Sequence, residues 1–224
     1  MTARAPLPDG TSSAEIAASA RELGVALDSA QCERLLLFAG LLLRWNRVHN
    51  LTAIERPDQI VTHHLLDSLA VVPVLDELAR GRALRVLDVG AGGGLPGVPL
   101  AIAMPRHHFT LIDKAGKKAA FLQQARVELA LENVEAVHAR VEDLNAPAFD
   151  VIVSRAFSSL ADFVGLTRGL IAADGVWCAM KGAVPTAEIE ELAQTVRGVR
   201  LTRTVRLHVP RLHAERHLLL IEPN

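Results

Sequence analysis

The stretch Arg85 to Pro99, R-V-L-D-V-G-A-G-G-G-L-P-G-V-P, constrains the fold more than any other part of the 224-residue chain. Val86, Leu87 and Val89 form a short apolar run with one acid in it, Asp88, and glycines follow at 90, 92, 93, 94 and 97. An apolar strand that runs straight into closely spaced glycines is a tight turn beneath a ligand. A residue without Cβ takes positive φ and lets the backbone approach a bound group. Ordering so many glycines costs backbone entropy that a turn with no ligand does not recover. Pro96 stands near the first position of a helix expected over 97–104, where a missing N–H costs nothing. Strand, glycine turn and helix make the first crossover of an α/β nucleotide-type fold.

Two ligand classes compete for that turn. Gly92, Gly94 and Gly97 satisfy the dinucleotide pattern G-x-G-x-x-G, which is weak by itself. The triplet Gly90, Gly92, Gly94, with Asp88 two residues upstream, instead looks like the first motif of class I S-adenosylmethionine methyltransferases. Charge separates the two. A pyrophosphate wants N–H groups and a helix dipole without an acid close by, whereas a methionine zwitterion bearing a sulfonium can use a carboxylate. The next strand, Phe109 to Ile112, ends at Asp113, where both classes place an acid on a ribose hydroxyl pair. The methyl donor is the favoured reading and a nicotinamide the runner-up.

Apolar residues make up 50% of the chain and charged ones 22%, the composition of an ordinary globular protein with one sizeable core and an appendage. Cys32 and Cys178 lie in apolar surroundings and read as reduced core residues of a cytoplasmic protein. The chain start lacks a signal pattern, and the longest apolar run, Leu35 to Leu43, is too short to span a bilayer, so no membrane partner is expected. A net charge of −1 does not advertise a nucleic-acid binder. Between Arg197 and His217, however, six arginines and three histidines face one acid, Glu215. That segment is either a set of phosphate contacts or a solvated strand face.

Residues 1–11 carry no pattern of regular structure. Ser12-Ser13-Ala14-Glu15 is a capping box opening a helix that Gly24 closes. Asp28 starts a leucine-rich helix running to about Trp45, Asn46 to Thr52 breaks its apolar period, and Pro57 opens a third helical stretch to about Val72. Residues 1–80 thus read as a helical extension, and 81–224 as an alternating unit. Strands are expected at 85–89, 108–112, 134–138, 149–153 and 175–180, with helices at 97–104, 115–131, 160–172 and 186–197. That alternation implies right-handed crossovers and a mainly parallel sheet. Residues 199–209 alternate in polarity and 217–221 form a last strand, so an antiparallel pair closes a seven-stranded sheet.

Ligands of a doubly wound sheet bind beyond the carboxyl ends of its strands. There the chain places Gly90 to Leu95, then Asp113-Lys114, Arg140 to Asp143, and Ser154-Arg155-Ala156-Phe157. Asp113 suits the ribose. Glu142 or Asp143, with the Val141 N–H, suits an adenine, unless the two acids only complement a helix start. The fourth strand lacks the N/D-P-P-Y/F tetrapeptide of amine methyltransferases, the chain has no tyrosine, and neither cysteine is near a strand end facing the site. No general base is therefore expected, and the acceptor is a free lone pair such as guanine N7. Alignment and exclusion of water then suffice, worth on the order of 7–11 kcal/mol. Arg155 lies at the mouth of the site, on cofactor, on phosphate, or in a structural pair with an acid such as Asp150. A metal site from His63, His64 and Asp67 is disfavoured by its spacing, and these residues, like Trp45-Asn46 and His49 to Thr52, read first as caps and turns.

These residues together resemble one family, the bacterial ribosomal RNA small subunit methyltransferase G, or glucose-inhibited division protein B, family. The likeness runs through W-N-R-V-H-N-L-T at 45–52, H-x-x-D-S at 64–68 and D-V-G-A-G-G-G-L-P-G-V-P-L at 88–100. It continues through R-V-E at 140–142, S-R-A-F at 154–157, K-G at 181–182 and E-R-H at 215–217. The resemblance implies a class I S-adenosylmethionine-dependent methyltransferase (Rossmann-like) fold. It implies methyl transfer from S-adenosylmethionine to N7 of one guanine in 16S ribosomal RNA; the RNA is expected free or in the small-subunit particle, and the protein as a cytoplasmic monomer without a metal. It places cofactor contacts on Gly90, Leu95, Val141, Glu142 and Arg155, beside Gly92 and Asp113 from the residue reading; Lys114 departs from the small residue expected there. Asn50, His64, Lys181 and Arg216, with Arg200 and Arg206 of the basic segment, are expected to face RNA.

Overall fold

The computed structural model describes residues 11–155 and 157–224, so the expectation for the chain start lies almost wholly outside the described residues. Helix α1, Ser13–Glu22, begins with the capping box: Ser12 Oγ accepts the Glu15 N–H at 3.3 Å and Glu15 Oε2 accepts the Ser12 N–H at 2.9 Å. Helix α2, Ser29–His49, starts with a second such box between Asp28 and Gln31. The Gln31 amide also donates to the carbonyls of Ile102 and Ala103, which ties α2 to the helix after the glycine turn.

Helix α2 runs a full turn past the expected end at Trp45. Asn46 breaks the apolar period, yet it is buried and its Oδ1 accepts the Thr52 N–H at 2.8 Å, so a polar residue serves the inner face. His49 stacks on Trp45 at 5.0 Å, and Asn50 ends the helix in the left-handed region at φ 50. The third helical stretch is composite: α3 (Pro57–Ile60), a π turn (Val61–Leu66) and α4 (Asp67–Leu69). A separate helix follows, α5 (Val72–Ala79), inside the stretch 1–80 expected to be helical.

The strands are β1 (Arg85–Val89), β2 (His108–Asp113), β3 (Val134–His138), β4 (Phe149–Ser154), β5 (Ile171–Lys181), β6 (Val199–Arg206) and β7 (His217–Pro223). They form one seven-stranded sheet in the order β3-β2-β1-β4-β5-β7-β6. β1 to β5 pair in parallel, and β7 runs antiparallel between β5 and β6. Strand order reverses between β1 and β4, so the ligand position lies at the carboxyl ends of those two strands.

Side-chain alternation gives the sheet two cores. Val86, Phe109, Leu111, Val153, Cys178 and Leu220 face α1 to α5 together with α6 (Gly97–Ala103) and α7 (Gly116–Glu128). Leu87, Ile112, Ile152, Trp177 and Leu219 face α8 (Leu160–Thr167), and Leu192 of α9 (Thr186–Thr195) joins that core. One continuous core therefore joins the N-terminal helices to the sheet. Both cysteines are buried and free, and burial pushes the Cys178 thiol up to about 12.

The second core contains a polar anchor. Trp177 Nε1 donates to Thr167 Oγ1 at 2.9 Å, and that hydroxyl donates to the Phe163 carbonyl at 2.6 Å. Thr167→Val keeps the shape and strands the indole N–H, so it is expected to lower unfolding free energy by about 1–3 kcal/mol. Urea denaturation checks this, with cofactor affinity expected to stay unchanged.

Candidate active site

The glycine turn is held by two carboxylates. Asp88, at the end of β1, is fully buried, and its Oδ2 accepts the Gly97 N–H at 2.8 Å. Asp113, at the end of β2, accepts the Gly92 N–H at 3.0 Å through Oδ2 and the Ala115 N–H at 2.8 Å through Oδ1. Lys118 Nζ lies 3.9 Å from the same Oδ2. Asp113 has lone pairs left for ribose hydroxyls, since a carboxylate offers about four acceptor directions.

The glycines divide by role. Gly90 and Gly92 have φ of 71 and 56, and Gly90 lines the cleft above the turn. Gly93, Gly94 and Gly97 instead answer to the protein. A Cβ on Gly93 would lie 3.1 Å from Leu42 of α2, one on Gly94 would lie 2.7 Å from Val98, and one on Gly97 would collide with Leu111 of β2. Three of the five glycines thus admit the close approach of α2, α6 and β2.

The cleft above the turn holds about 320 Å³. Gly90, Asp113, Val141 and Glu142 line it together, with Ile112, Phe157 and Leu166 as apolar wall. Glu142, beyond β3, is paired with Arg140 at 2.6 Å. Its own backbone N–H and that guanidinium hold its carboxyl below the usual range. Asp143 is exposed and is not among the lining residues. The Leu95 side chain belongs to the helix-side core and does not line the cleft. The Asp113 carboxylate, a second carboxylate beside the Val141 backbone and apolar walls between them fit an adenosine.

A second cleft of about 430 Å³ adjoins the first, and Phe157 lines both. His64, Arg155, Lys181 and Arg216, remote in sequence, line this one. Arg155 does not pair with Asp150, which accepts from Arg82 and the Arg85 backbone. Its guanidinium reaches the His63 carbonyl and Asp67 Oδ2, each at 3.2 Å. Arg216 Nε donates to Asp67 Oδ1 at 2.8 Å. Lys181 Nζ donates to the Phe157 carbonyl at 2.9 Å and to Glu188 at 2.7 Å, so it tethers the wall between the clefts.

The remaining expected RNA contacts lie apart. Asn50 is an exposed helix cap outside the cleft lining. Arg206 lines a third cleft under the β6–β7 connection, with His208 and His213. Arg200 pairs with Glu222 at the opposite end of β6, away from the carboxyl ends of the parallel strands. Asp67 is the residue that sequence reasoning passed over as a turn. An acid within the apolar run L-L-D-S-L is the signal that it needs buried partners. Among the described residues no group of three or more His, Cys, Asp or Glu side chains could hold a metal ion.

His64 is buried, with Nε2 2.8 Å from Thr52 Oγ1 and Nδ1 2.9 Å from the His63 carbonyl. Burial, with the adjacent Arg155 charge, lowers its pKa to about 4, so the ring is neutral near pH 7. Burial raises the Asp88 carboxyl to about 7, against the Gly97 N–H and the Arg155 charge, and Asp88 Oδ1 has no partner.

A parallel sheet ending in a reversed strand, with a glycine turn under a cleft at its switch point, defines the class I methyltransferase fold. A solved S-adenosylmethionine-dependent methyltransferase from Aquifex aeolicus matches with a TM-score of 0.54 at 16% identity, over 73% of this chain and 92% of that one. A ribosomal protein L11 methylase from Lactobacillus delbrueckii subsp. bulgaricus also gives 0.54 at 16% identity, over 70% and 78%. The family model of rRNA small subunit methyltransferase G matches residues 31–219. Curated relatives of that name are 50% identical over 208 residues in Ectopseudomonas mendocina, covering 92% of this chain and 94% of the relative, and 51% identical over 217 residues in Burkholderia thailandensis, covering 95% and 92%. The chain belongs to the rRNA small subunit methyltransferase G family.

The raised pKa of Asp88 has a consequence for stability. The folded state keeps this proton up to about pH 7 while the unfolded carboxyl, near 3.8, has lost it. Stability from this group is therefore full below about pH 4 and falls as pH rises toward 7, by at most about 1.4 kcal/mol per pH unit. Asp88→Asn keeps an acceptor for Gly97 and cannot titrate. The stability difference, wild type minus Asp88→Asn, is expected to decline between pH 4 and 7 and to level off above, as read from urea midpoints.

Proposed function

We propose that this chain transfers a methyl group from S-adenosylmethionine to N7 of a guanine in 16S ribosomal RNA, free or within the small-subunit particle. The observation that carries this reading is the pair of adjoining clefts with Phe157 in both, one suited to an adenosine and the other lined by cationic side chains. When bound, S-adenosylmethionine supplies a methyl group on a sulfonium. The chain's part is to hold and orient it: Asp113 for the ribose, Glu142 and Val141 for the adenine, Gly90 and Gly92 as the open backbone of the cradle. Leu95, on the same turn, and Arg155, at the border between the two clefts, complete the proposed cofactor contacts, and Arg155 faces the RNA side as well. We further propose that residues 1–80 build the RNA-side wall, through Thr52, His64 and Asp67, on a methyl-transfer domain of residues 81–224.

Guanine N7 carries no proton at neutral pH, so no base is needed. Three ionisable groups of the second cleft are already engaged. Both His64 nitrogens have partners, each Asp67 oxygen accepts from an arginine, and Lys181 is held by Glu188. His63 and His217 use Nδ1 locally and leave Nε2 without a partner among the described residues. They are the groups to test as bases. Among the described residues no helix is long and apolar enough to cross a membrane; action in the cytoplasm as a monomer belongs to the same proposal.

Tritium from labelled S-adenosylmethionine is expected to enter 16S ribosomal RNA, and nuclease mapping should find it in 7-methylguanosine. Gly92→Asp, which sets a second carboxylate beside Asp113, is expected to cut transfer at least a hundredfold. Normal transfer by that variant, or tight binding of NAD in place of S-adenosylmethionine, would refute the cofactor assignment.

His63→Asn and His217→Asn separate alignment from proton abstraction. Each is expected to lower kcat by less than about tenfold, whereas removal of a general base costs about 10²–10⁴-fold. Single-turnover methylation measured across pH 6–8.5 distinguishes the two results.

A further inference from the structure

Asp67 is 2% exposed, yet it bridges two arginines that arrive from distant parts of the chain. Arg155 stands 88 residues away, just past β4, and Arg216 stands 149 residues away, just before β7. A buried acid that only needed neutralising would be served by one cation. Here one negative charge meets two positive ones, and the surplus positive charge lies in the second cleft. The guanidinium groups are not exhausted. Each has five N–H donors in a rigid fork. Arg155 directs Nη1 at Asp67 and at the His63 carbonyl, with Nη1 and Nη2 at 3.4 and 3.5 Å from His64 Nδ1, and leaves Nε free of those contacts; Arg216 uses Nε on Asp67 and Nη1 on the Glu215 carbonyl, which leaves Nη2. Both side chains keep about a quarter of their surface open, 28% and 24%. The π turn at Val61–Leu66 brings the His63 carbonyl and Asp67 to the same guanidinium, a local distortion of the kind often found at functional sites.

We infer that Asp67 is a positioning residue that locks Arg155 and Arg216 into one two-guanidinium clamp for a single phosphate of the RNA next to the target base. This rests on the proposed function and goes beyond it by assigning the clamp and the residue that sets it. A phosphate accepts paired N–H donors from guanidinium forks. Forks already fixed by a buried carboxylate lose little further freedom when it docks. The phosphate would then lie beside Phe157, the wall shared with the cofactor cleft.

The test uses the full chain. Asp67→Asn keeps size and both guanidinium charges but loosens their geometry. The expected result is a fall in kcat of at least tenfold, with affinity for 16S ribosomal RNA at low salt within threefold, and with S-adenosylmethionine affinity and melting midpoint close to wild type. Arg216→Lys retains the charge and the pairing with Asp67 and loses only the fork; kcat is expected to fall at least fivefold. In an Arg216→Ala background Asp67→Asn should cost less than threefold more, because the residues act as a unit. Wild-type kcat in either single variant overturns the clamp. So does a loss of kcat in Asp67→Asn that is matched by loss of cofactor affinity and melting midpoint, which is the signature of a purely structural pair. Should the wild-type chain methylate no RNA, the proposed function fails, and the clamp is judged by binding alone. Addition of a short single-stranded RNA should shift the arginine side-chain NMR signals of Arg155 and Arg216 together in wild type and no longer together in Asp67→Asn. Unmoved signals in wild type would overturn it.

Discussion

Two carboxylates at the ends of neighbouring strands grip the backbone of the glycine turn, and the position of every other part of the cleft follows from that grip. A turn between a strand and a helix carries N–H groups that neither ladder satisfies. Asp88 takes that of Gly97 and Asp113 takes that of Gly92. The parallel register of β1 and β2, with Val89 beside Ile112, brings the second acid level with the turn that leaves the first strand. The same Asp113 also accepts from Ala115 at the start of α7, so one side chain fixes the turn, the next helix and one side of the cleft.

The other half of the site is electrostatic and draws on the whole chain. The cationic cleft takes residues from the π turn, the end of β4, the end of β5 and the start of β7, and no two of these elements are neighbours in sequence. Its floor rests on the N-terminal helices, which pack on the sheet through a continuous apolar core. Leu42 of α2 lies against the back of the glycine turn, close enough that a Cβ on Gly93 would press on it. The N-terminal helices thus line the cationic cleft directly and back the glycine turn beneath the other.

Local signals were legible where the physics is local. Both capping boxes could be read from four-residue patterns, and β1 and β3 from their apolar spacing, because those interactions are complete within a few residues. The end of α2 was not legible: Asn46 looks like a breaker until its partner, the Thr52 N–H, is seen to lie on the inner face. Nothing in V-T-H-H-L-L marks a π turn, since its extra residue per turn is stabilised by what packs around it. Arg155 was recognisable as a site residue, but its nearest acid in sequence, Asp150, is engaged at the other end of β4, and its true partner comes from a helix that precedes the sheet. The basic segment 197–217 divides in the same way. Arg216 reaches the cleft, while Arg200, on the same connected pair of strands, lies at the far end of the sheet.

The amino-acid sequence alone determined the alternating α/β plan, the glycine turn at the end of β1, the acid on β2 and the reversed last strand. It also carried the motifs that place the chain in its family. Each of these is written in periodicity, in the conformational freedom of glycine, or in residues a few positions apart. Tertiary structure alone decided that Gly90 lines the cleft while Gly93 meets α2, that His64 is neutral and spoken for, and that Asp67 holds Arg155 to Arg216. Those outcomes depend on burial and on distances between segments 88 and 149 residues apart. The energy of a buried charge is set by what folding brings within about 3 Å of it, and linear order carries no such distances.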